Sequence, residues 1–326
     1  MRRYRNGNNT TATGSTKEEA MKHFTESNNL LTNPPMLRKR LRDDGYLFLR
    51  GILPKNDVLT VRQRILEFCQ EAGWIQKGTE LMDGLTDHEP LLEGHVDWAP
   101  VYAKVQALEL FHRLKLHQNI HLIMEDIFQE SVFALPMTIA RMAFPCDNER
   151  GTQAHQDWLY VGGSTEIISC WAPLGDIPEK VGGLKILGGS HKAGFLTPKP
   201  ASGPAPLTVD PDTTLEWLQA DYHAGDVLLF KALTVHAAAD NHTPNVLRIS
   251  MDFRYAGESH TITEPWMQPH FYQRGNPFSW DVLDKEWRDS PTARYWERLP
   301  HLKTKPYDEM WKKTHLVVDR ENDSVD

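Results

Sequence analysis

Apolar positions in the first 130 residues follow two different periods. A short apolar run over 46–49 follows an Asp-Gly pair and predicts a strand. Farther on, apolar side chains recur every three or four positions, so a helix is predicted from near Asn56 to Gly73. A second helical stretch is predicted over about 99–129. The apolar face of the first helix consists of Val58, Val61, Ile65 and Phe68.

The pattern changes after residue 130. Short apolar runs are separated there by Gly, Pro and Asn, which is typical of antiparallel sandwiches and barrels rather than βαβ units. The proline-rich segment 197–211 is predicted to be a loop. The chain is therefore expected to be mainly β with flanking helices. The predicted strands lie within 133–144, 166–172, 184–187, 227–235 and 246–255.

A single domain is expected to follow a polar N-terminal segment. Residues 1–30 are rich in Asn, Thr, Ser and Gly, which predicts a mobile tail, and 31–326 is predicted to form one domain. Its expected parts are a helical buttress over about 54–129, a β-barrel core over about 130–260 and an aromatic-rich C-terminal packing region, 261–326.

Composition narrows the class of protein. The 326 residues carry a formal net charge of -8, which argues against a nucleic-acid partner or an anionic membrane surface. No apolar stretch approaches the roughly 20 residues of a membrane helix. Three cysteines without a C-x-x-C pair argue against a disulfide scaffold, so a cytoplasmic location is expected. The oligomeric state is open.

A candidate metal site comes from three residues. His155 and Asp157 are two positions apart, so on an extended strand both side chains leave the same face. His236, after an apolar strand opened by Gly225, is the candidate third ligand. Two imidazoles and one carboxylate that leave positions open suit Fe(II) dioxygen chemistry.

The His-x-Asp pair alone is weak evidence. Among fifteen histidines such a pair occurs by chance, and His95 with Asp97 forms a second one. His95 precedes the β-rich half and is interpreted mainly as a helix-start feature, with a smaller possibility that it lines a substrate pocket. The aromatic residues Trp266 and Phe271 are further candidates for that pocket.

A candidate anion clamp follows His236. Arg248 and Ser250 share one face of a predicted strand and can together bind a carboxylate. The alternative is a salt bridge from Arg248 to Asp252 or Asp226, which the sequence leaves about equally open. Arg254, on the same face, is interpreted as a structural ion-pair residue.

Several motifs occur together in one order: His155-Gln156-Asp157, Gly182-Gly183-Leu184, Gly188-Gly189-Ser190-His191-Lys192, Gly225-Asp226-Val227, His236, Asn241 and Arg248. With them the chain resembles the phytanoyl-CoA dioxygenase family of 2-oxoglutarate oxygenases over roughly residues 40–260. This resemblance implies a double-stranded β-helix, a jelly-roll barrel of the cupin type.

The resemblance also implies roles for particular residues. His155, Asp157 and His236 match the iron ligands, and Arg248, assisted by Ser250, matches the residue that holds the far carboxylate of 2-oxoglutarate. Trp171 is a candidate wall of the co-substrate site, with core packing as the alternative, and Thr138 is a candidate contact. The expected reaction oxidises a small organic molecule, with hydroxylation favoured because related halogenases lack the carboxylate, and releases succinate and carbon dioxide.

Two other functions are compatible with parts of the pattern. A cupin-type metalloenzyme would bind iron without 2-oxoglutarate and would leave Arg248 without a function. A barrel that binds a small molecule without chemistry would have no need of open metal positions. The identity of the substrate is not encoded in any motif, because many substrates are oxidised on this fold.

Overall fold

The computed structural model describes residues 22–146, 151–201 and 206–307, and these contain fifteen β-strands and seven α-helices. The strands are β1 (Lys22–His23), β2 (Tyr46–Leu49), β3 (Val132–Ala134), β4 (Ile139–Ala143), β5 (His155–Gln156), β6 (Ile168–Pro173), β7 (Leu184–Leu187), β8 (Lys199–Pro200), β9 (Leu207–Thr208), β10 (Trp217–Gln219), β11 (Val227–Lys231), β12 (Val235–Ala238), β13 (Arg248–Gly257), β14 (Thr261–Thr263) and β15 (Lys303–Lys305). The helices are α1 (Pro34–Asp44), α2 (Lys55–Glu71), α3 (Ala99–Gln106), α4 (Glu109–Arg113), α5 (Gln118–Phe128), α6 (Trp158–Val161) and α7 (Trp280–Leu283).

Two sheets form the barrel. The larger sheet has the order β2-β11-β6-β13-β3, with β4 also paired to β13, and the smaller has the order β1-β10-β7-β12-β5. From β10 to β13 each successive strand crosses to the opposite sheet, as do β5, β6 and β7. This alternation is the double-stranded β-helix, so the predicted mainly β fold is confirmed.

The two faces of the larger sheet have different neighbours because side chains alternate along a strand. On β2, Tyr46 and Phe48 point into the barrel, where they join Trp171 and residues of the smaller sheet. Leu47 and Leu49 point to the other side and pack in the core shared with the helices. Each such fully buried side chain contributes about 1.5–3 kcal/mol by leaving water.

The helices cover the outer face of the larger sheet. Helix α1 begins at Pro34 after Asn33, whose side chain accepts a hydrogen bond from the Met36 backbone N–H, and it ends at Gly45 with φ 82°. Helix α2 coincides with the helix predicted to end at Gly73. Among the described residues, no helix is long and apolar enough to cross a membrane.

The N-terminal segment differs from the predicted tail. Residues 1–21 of that tail lie outside the described residues, but residues 22–30 contain strand β1 and a 3-10 turn. Phe24 is buried within 5.3 Å of the rings of Tyr46 and Phe48, so this one aromatic residue anchors the segment. The sequence did not predict this buried residue because the segment contains few apolar residues.

The strand predicted over 227–235 is in fact two strands. The chain leaves the larger sheet after Lys231 and enters the smaller sheet at Val235. The turn between them is held by Thr234, whose hydroxyl donates to the Gly45 carbonyl at 2.9 Å. His236 therefore lies on the sheet opposite β11, a change of direction that a continuous apolar run does not reveal.

A buried lysine joins the helices to the loop between β3 and β4. The Lys115 ammonium donates to the carbonyls of Leu135 and Pro136 and to the Thr138 hydroxyl, the latter at 2.8 Å. Burial lowers the pKa of Lys115 well below its usual value, but three acceptors match the three N–H bonds of an ammonium and favour the charged form. Lys115 thus fixes the loop that precedes β4.

Replacing this lysine by an apolar residue is expected to destabilise the fold. Lys115→Met removes the ammonium donor from two buried carbonyls and a buried hydroxyl, and only the Pro136 carbonyl keeps a long contact, at 3.5 Å from the Thr138 hydroxyl. The free energy of unfolding should fall by about 2–4 kcal/mol. Urea denaturation measures this loss. Lys104→Met, which removes an exposed pair with Glu71, is the control and should change stability by less than about 1 kcal/mol. Equal stability of the two variants would contradict the structural role of Lys115.

Candidate metal centre and adjoining cavity

Two histidines meet as a cross-strand pair in the smaller sheet. His155 on β5 and His236 on β12 are directly opposite each other, and their ring centroids are 4.1 Å apart. Asp157 follows at the start of α6. One ligand atom from each of the three residues lies within 4.8 Å of the others, and all three side chains are buried. The predicted triad is therefore assembled in one place.

The local geometry at Asp157 differs from the extended strand assumed above. Strand β5 ends at Gln156, and Asp157 has φ -60° and ψ -30°, the helical region. Its carboxylate nevertheless turns toward the histidines. Gln156 points away, since its amide donates to the Gly194 and Leu233 carbonyls. A two-residue strand next to a helix start was not predictable from spacing alone.

The hydrogen bonds of both histidines select one tautomer. His155 Nδ1 lies 2.7 Å from the Gln153 carbonyl oxygen, and His236 Nδ1 lies 3.0 Å from the Thr234 carbonyl oxygen. A carbonyl can only accept, so each Nδ1 carries the proton and each Nε2 keeps its lone pair. Burial lowers the pKa of both residues, to about 3 for His155, so the rings are neutral.

Asp157 is held as a carboxylate by its neighbours. Burial alone would raise its pKa, but the adjacent Arg254 guanidinium outweighs burial and keeps the pKa well below its usual value. Arg254 donates to both carboxylate oxygens at 2.8 and 3.0 Å, and the Ser169 hydroxyl donates to Oδ2. Arg254 is thus an ion-pair residue, but its partner is the candidate metal ligand itself.

Arg248 and Ser250 point into the barrel from β13, next to the histidines. The Arg248 guanidinium donates to the Gly182 carbonyl and, at 3.3 Å, to the Ala239 carbonyl. Its Nε is buried without a hydrogen-bond partner, as is the Ser250 hydroxyl. Burial, followed by the nearby Arg141, lowers the pKa of Arg248 to about 10. Two adjacent buried donors without acceptors are costly unless a ligand binds them.

The alternative salt bridges of Arg248 are not formed. Asp226 pairs instead with Arg50 at 2.7 Å, and Asp252 pairs with Arg141 at 3.3 Å. The acids proposed as structural partners therefore have other cations, which leaves the guanidinium of Arg248 with carbonyl contacts.

Trp171 and Thr138 have different positions. Trp171 lines the inner cavity, which we define by His155, His236, Arg248 and Trp171. Thr138, the other candidate contact of the co-substrate, lines neither this cavity nor the outer one described next. Met137, Ile139 and Arg141 point into the barrel, so Thr138 points outward, where its hydroxyl accepts from Lys115.

A second, outer cavity of about 300 Å³ opens beside the triad, and His155, Asp157, Arg141 and Arg254 form its inner end. Trp266 and Phe271 line it, as proposed for the aromatic C-terminal region, whereas His95 is exposed in the turn before α3. The remaining lining residues are Glu93, Met137, Ile139, Thr152, Tyr160, Pro206, Pro265, His270, Tyr272 and Gln273.

Sequence reasoning missed four polar residues of the site: Arg141, Ser169, Arg254 as partner of Asp157, and His270. Two of them had a detectable pattern. Arg141 interrupts the apolar run 133–144, and Ser169 lies two positions before Trp171 on the same face of β6. Polar residues on the inward face of a barrel strand are candidates for a site. His270 lies in an irregular segment, where no periodicity could indicate its direction.

Comparisons with known proteins identify the family of this chain. The family model described as phytanoyl-CoA dioxygenase matches residues 41–250. A 1-deoxypentalenic acid 11-beta-hydroxylase of Streptomyces arenae is 30% identical over 69% of this chain and 82% of its own length, and one of Streptomyces exfoliatus is 27% identical over 72% and 86%.

Among solved structures, the alpha ketoglutarate dependent carbocyclase SnoK from nogalamycin biosynthesis is similar at 18% identity. It covers 70% of this chain and 85% of its own, with a TM-score of 0.49. From the family match and the curated relatives, the chain belongs to the phytanoyl-CoA dioxygenase family and is an oxygenase that depends on Fe(II) and 2-oxoglutarate.

Proposed function

We propose that His155, Asp157 and His236 hold Fe(II), and that Arg248 and Ser250 bind the far carboxylate of 2-oxoglutarate. A small, largely apolar molecule occupies the outer cavity and is hydroxylated there. The observation that carries the proposal is the pair of buried, unpartnered donors, Arg248 Nε and Ser250 Oγ, beside a triad of neutral histidines and a carboxylate.

The triad suits iron in both protonation and charge. Both histidines present a lone pair on Nε2, and these nitrogens lie 3.9 and 3.6 Å from Asp157 Oδ1, close enough to share one ion. Two imidazoles and one carboxylate are the donor set of non-haem Fe(II) oxygenases, and they leave positions open for other ligands. Ser169 and Arg254 fix the carboxylate, as outer partners of metal ligands usually do.

The donor pair on β13 suits a carboxylate. A guanidinium nitrogen and a hydroxyl two residues apart can donate to the same anion, and hydrogen bonds to charged groups are stronger than neutral ones. The Gly182 carbonyl holds the other side of the guanidinium, so its orientation is fixed before the anion arrives. Trp171 packs on Tyr222 with centroids 4.6 Å apart and provides a flat wall for the co-substrate.

The protein positions the reactants and excludes water. When bound, iron and 2-oxoglutarate supply the oxidation, in which dioxygen is consumed and succinate and carbon dioxide are released. Arg248 and Ser250 orient the co-substrate toward the triad from one sheet, while the histidines approach from the other. The apolar and aromatic wall of the outer cavity holds the substrate beside the triad.

Hydroxylation is the outcome that the residues favour. Asp157 occupies the position that must be vacant for a halide, so transfer of oxygen is preferred. The relatives named above are hydroxylases of 1-deoxypentalenic acid, which supports hydroxylation of a small organic acid here. A cavity of about 300 Å³ also suits such a molecule better than an entire acyl-CoA.

We also propose that the enzyme acts in the cytoplasm. Cys69 and Cys170 are buried thiols outside any disulfide, which suits a reducing compartment.

Anaerobic visible spectroscopy tests the iron site and the co-substrate site separately. Addition of 2-oxoglutarate to the Fe(II) protein should produce a new charge-transfer band. His155→Ala should abolish the band because iron is lost, and Arg248→Ala should abolish it while iron remains bound. Arg64→Ala, on the exposed side of α2, is the matched control and should retain the band. Bound iron with no spectral response to 2-oxoglutarate in the unaltered protein would contradict the proposal.

Ser250 should contribute to the affinity for 2-oxoglutarate but not to the affinity for iron. Ser250→Ala removes one hydrogen bond to a charged group, so the Kd for 2-oxoglutarate should rise about tenfold. Iron affinity should stay the same, since Ser250 is not a ligand. Calorimetric titration of the Fe(II) protein under argon measures both quantities, and an unchanged Kd for 2-oxoglutarate would exclude Ser250 from the clamp.

A further inference from the structure

A chain of hydrogen bonds runs from the helical layer to the wall of the outer cavity. Gln106 Nε2 lies 2.9 Å from the Thr138 carbonyl oxygen and 3.0 Å from the Tyr102 hydroxyl. The Tyr102 hydroxyl lies 2.6 Å from His270 Nδ1. Tyr102 and Gln106 are fully buried on α3, whereas His270 lines the cavity.

The direction of donation along this chain is fixed at its buried end. The Thr138 carbonyl can only accept, so the Gln106 atom facing it is the amide nitrogen, and the same nitrogen donates to the Tyr102 oxygen. The Tyr102 O–H then donates to His270 Nδ1. Because Nδ1 is an acceptor, the proton of the neutral imidazole is on Nε2.

His270 is held rigidly in this neutral form. Burial lowers its pKa well below the usual value, and the nearby arginines Arg141, Arg254 and Arg274 lower it further. The next residue, Phe271, has φ 67°, a left-handed conformation that is strained for an aromatic residue. Contacts of its ring with Trp98 and Tyr102 maintain that conformation.

His270 Nε2 faces the cavity without a hydrogen-bond acceptor among the described residues. It is 3.8 Å from Glu93 Oε1, beyond hydrogen-bonding distance, and Glu93 is already paired with Arg141. A ligand group that hydrogen-bonds to His270 Nε2 must therefore be an acceptor rather than an N–H group.

We infer that His270 determines substrate specificity by presenting a fixed Nε2–H donor to an oxygen acceptor of the substrate, a carboxylate, carbonyl or hydroxyl. The substrate class is an apolar molecule of about 15–20 non-hydrogen atoms with such an oxygen, and not an amine. This inference rests on the proposed function for the position of the substrate, but the tautomer of His270 stands independently of iron and 2-oxoglutarate.

The tautomer can be measured directly by nitrogen-15 NMR of histidine-labelled holoenzyme, with Zn(II) in place of iron. His270 should show a protonated Nε2 and an unprotonated Nδ1 that accepts a hydrogen bond. Tyr102→Phe should weaken this preference and give a mixture of tautomers. A proton on Nδ1 in the unaltered protein, or a charged ring at neutral pH, would overturn the inference.

Ligand choice is tested with three rigid probes of one shape: adamantane-1-carboxylate, adamantane-1-methanol and adamantane-1-methylammonium. Calorimetry on the anaerobic holoenzyme should show binding of the carboxylate and the alcohol, with the ammonium at least about tenfold weaker. His270→Phe should weaken the two oxygen probes about tenfold, whereas His270→Gln, which restores an N–H donor, should retain most of the affinity. Preference for the ammonium, or equal affinities in His270→Phe and the unaltered protein, would overturn the inference.

Controls separate this inference from the proposed function. His260→Gln changes a histidine outside the lining of the cavity and should alter neither the probes nor the spectrum. The charge-transfer band with 2-oxoglutarate should persist in His270→Phe, since His270 does not line the inner cavity. If that band is absent in the unaltered protein, the proposed metal and co-substrate site fails while the tautomer and probe measurements still decide the role of His270.

Discussion

The negative charge of Asp157 inside the barrel is the constraint on which the rest of the site depends. An isolated carboxylate would not stay ionised in a buried position. The bidentate pair with Arg254 and the Ser169 hydroxyl keep it charged, and Arg254 stacks on Trp266 with its guanidinium carbon 4.8 Å from the ring centroid. One arginine thereby links a candidate metal ligand, which lies between β5 and α6, to the aromatic wall of the outer cavity.

The inward-facing side chains of β13 provide several of the charged groups of the site. Arg248, Ser250, Asp252 and Arg254 alternate with apolar residues that pack against the helices, so one strand serves the core and the site at once. The smaller sheet supplies the two histidines from adjacent strands. The proposed sites for iron and co-substrate therefore lie between two sheets whose separation is set by close packing of their side chains.

Much of this arrangement was predictable from the sequence, and the failures have physical causes. Ordered motifs indicated the family, and alternation on the strand that begins at Arg248 gave the correct inward face. The outward direction of Thr138 was not predictable, because its hydrogen bond to Lys115 joins residues 23 positions apart. The turn before His236 was not predicted because a continuous apolar run does not show where the chain passes from one sheet to the other. His270 depends on tertiary hydrogen bonds and has no local pattern.

The family match covers residues 41–250, whereas much of the substrate wall comes from the segment 265–273 that follows it. The proposed iron and co-substrate residues thus lie within the family match, whereas one part of the proposed substrate wall follows them in the sequence. On the proposed function, mutations in 265–273 away from Trp266 change which molecule is oxidised without altering the iron or co-substrate contacts. A lineage can therefore acquire new substrates in small, viable steps while its oxidative chemistry stays intact.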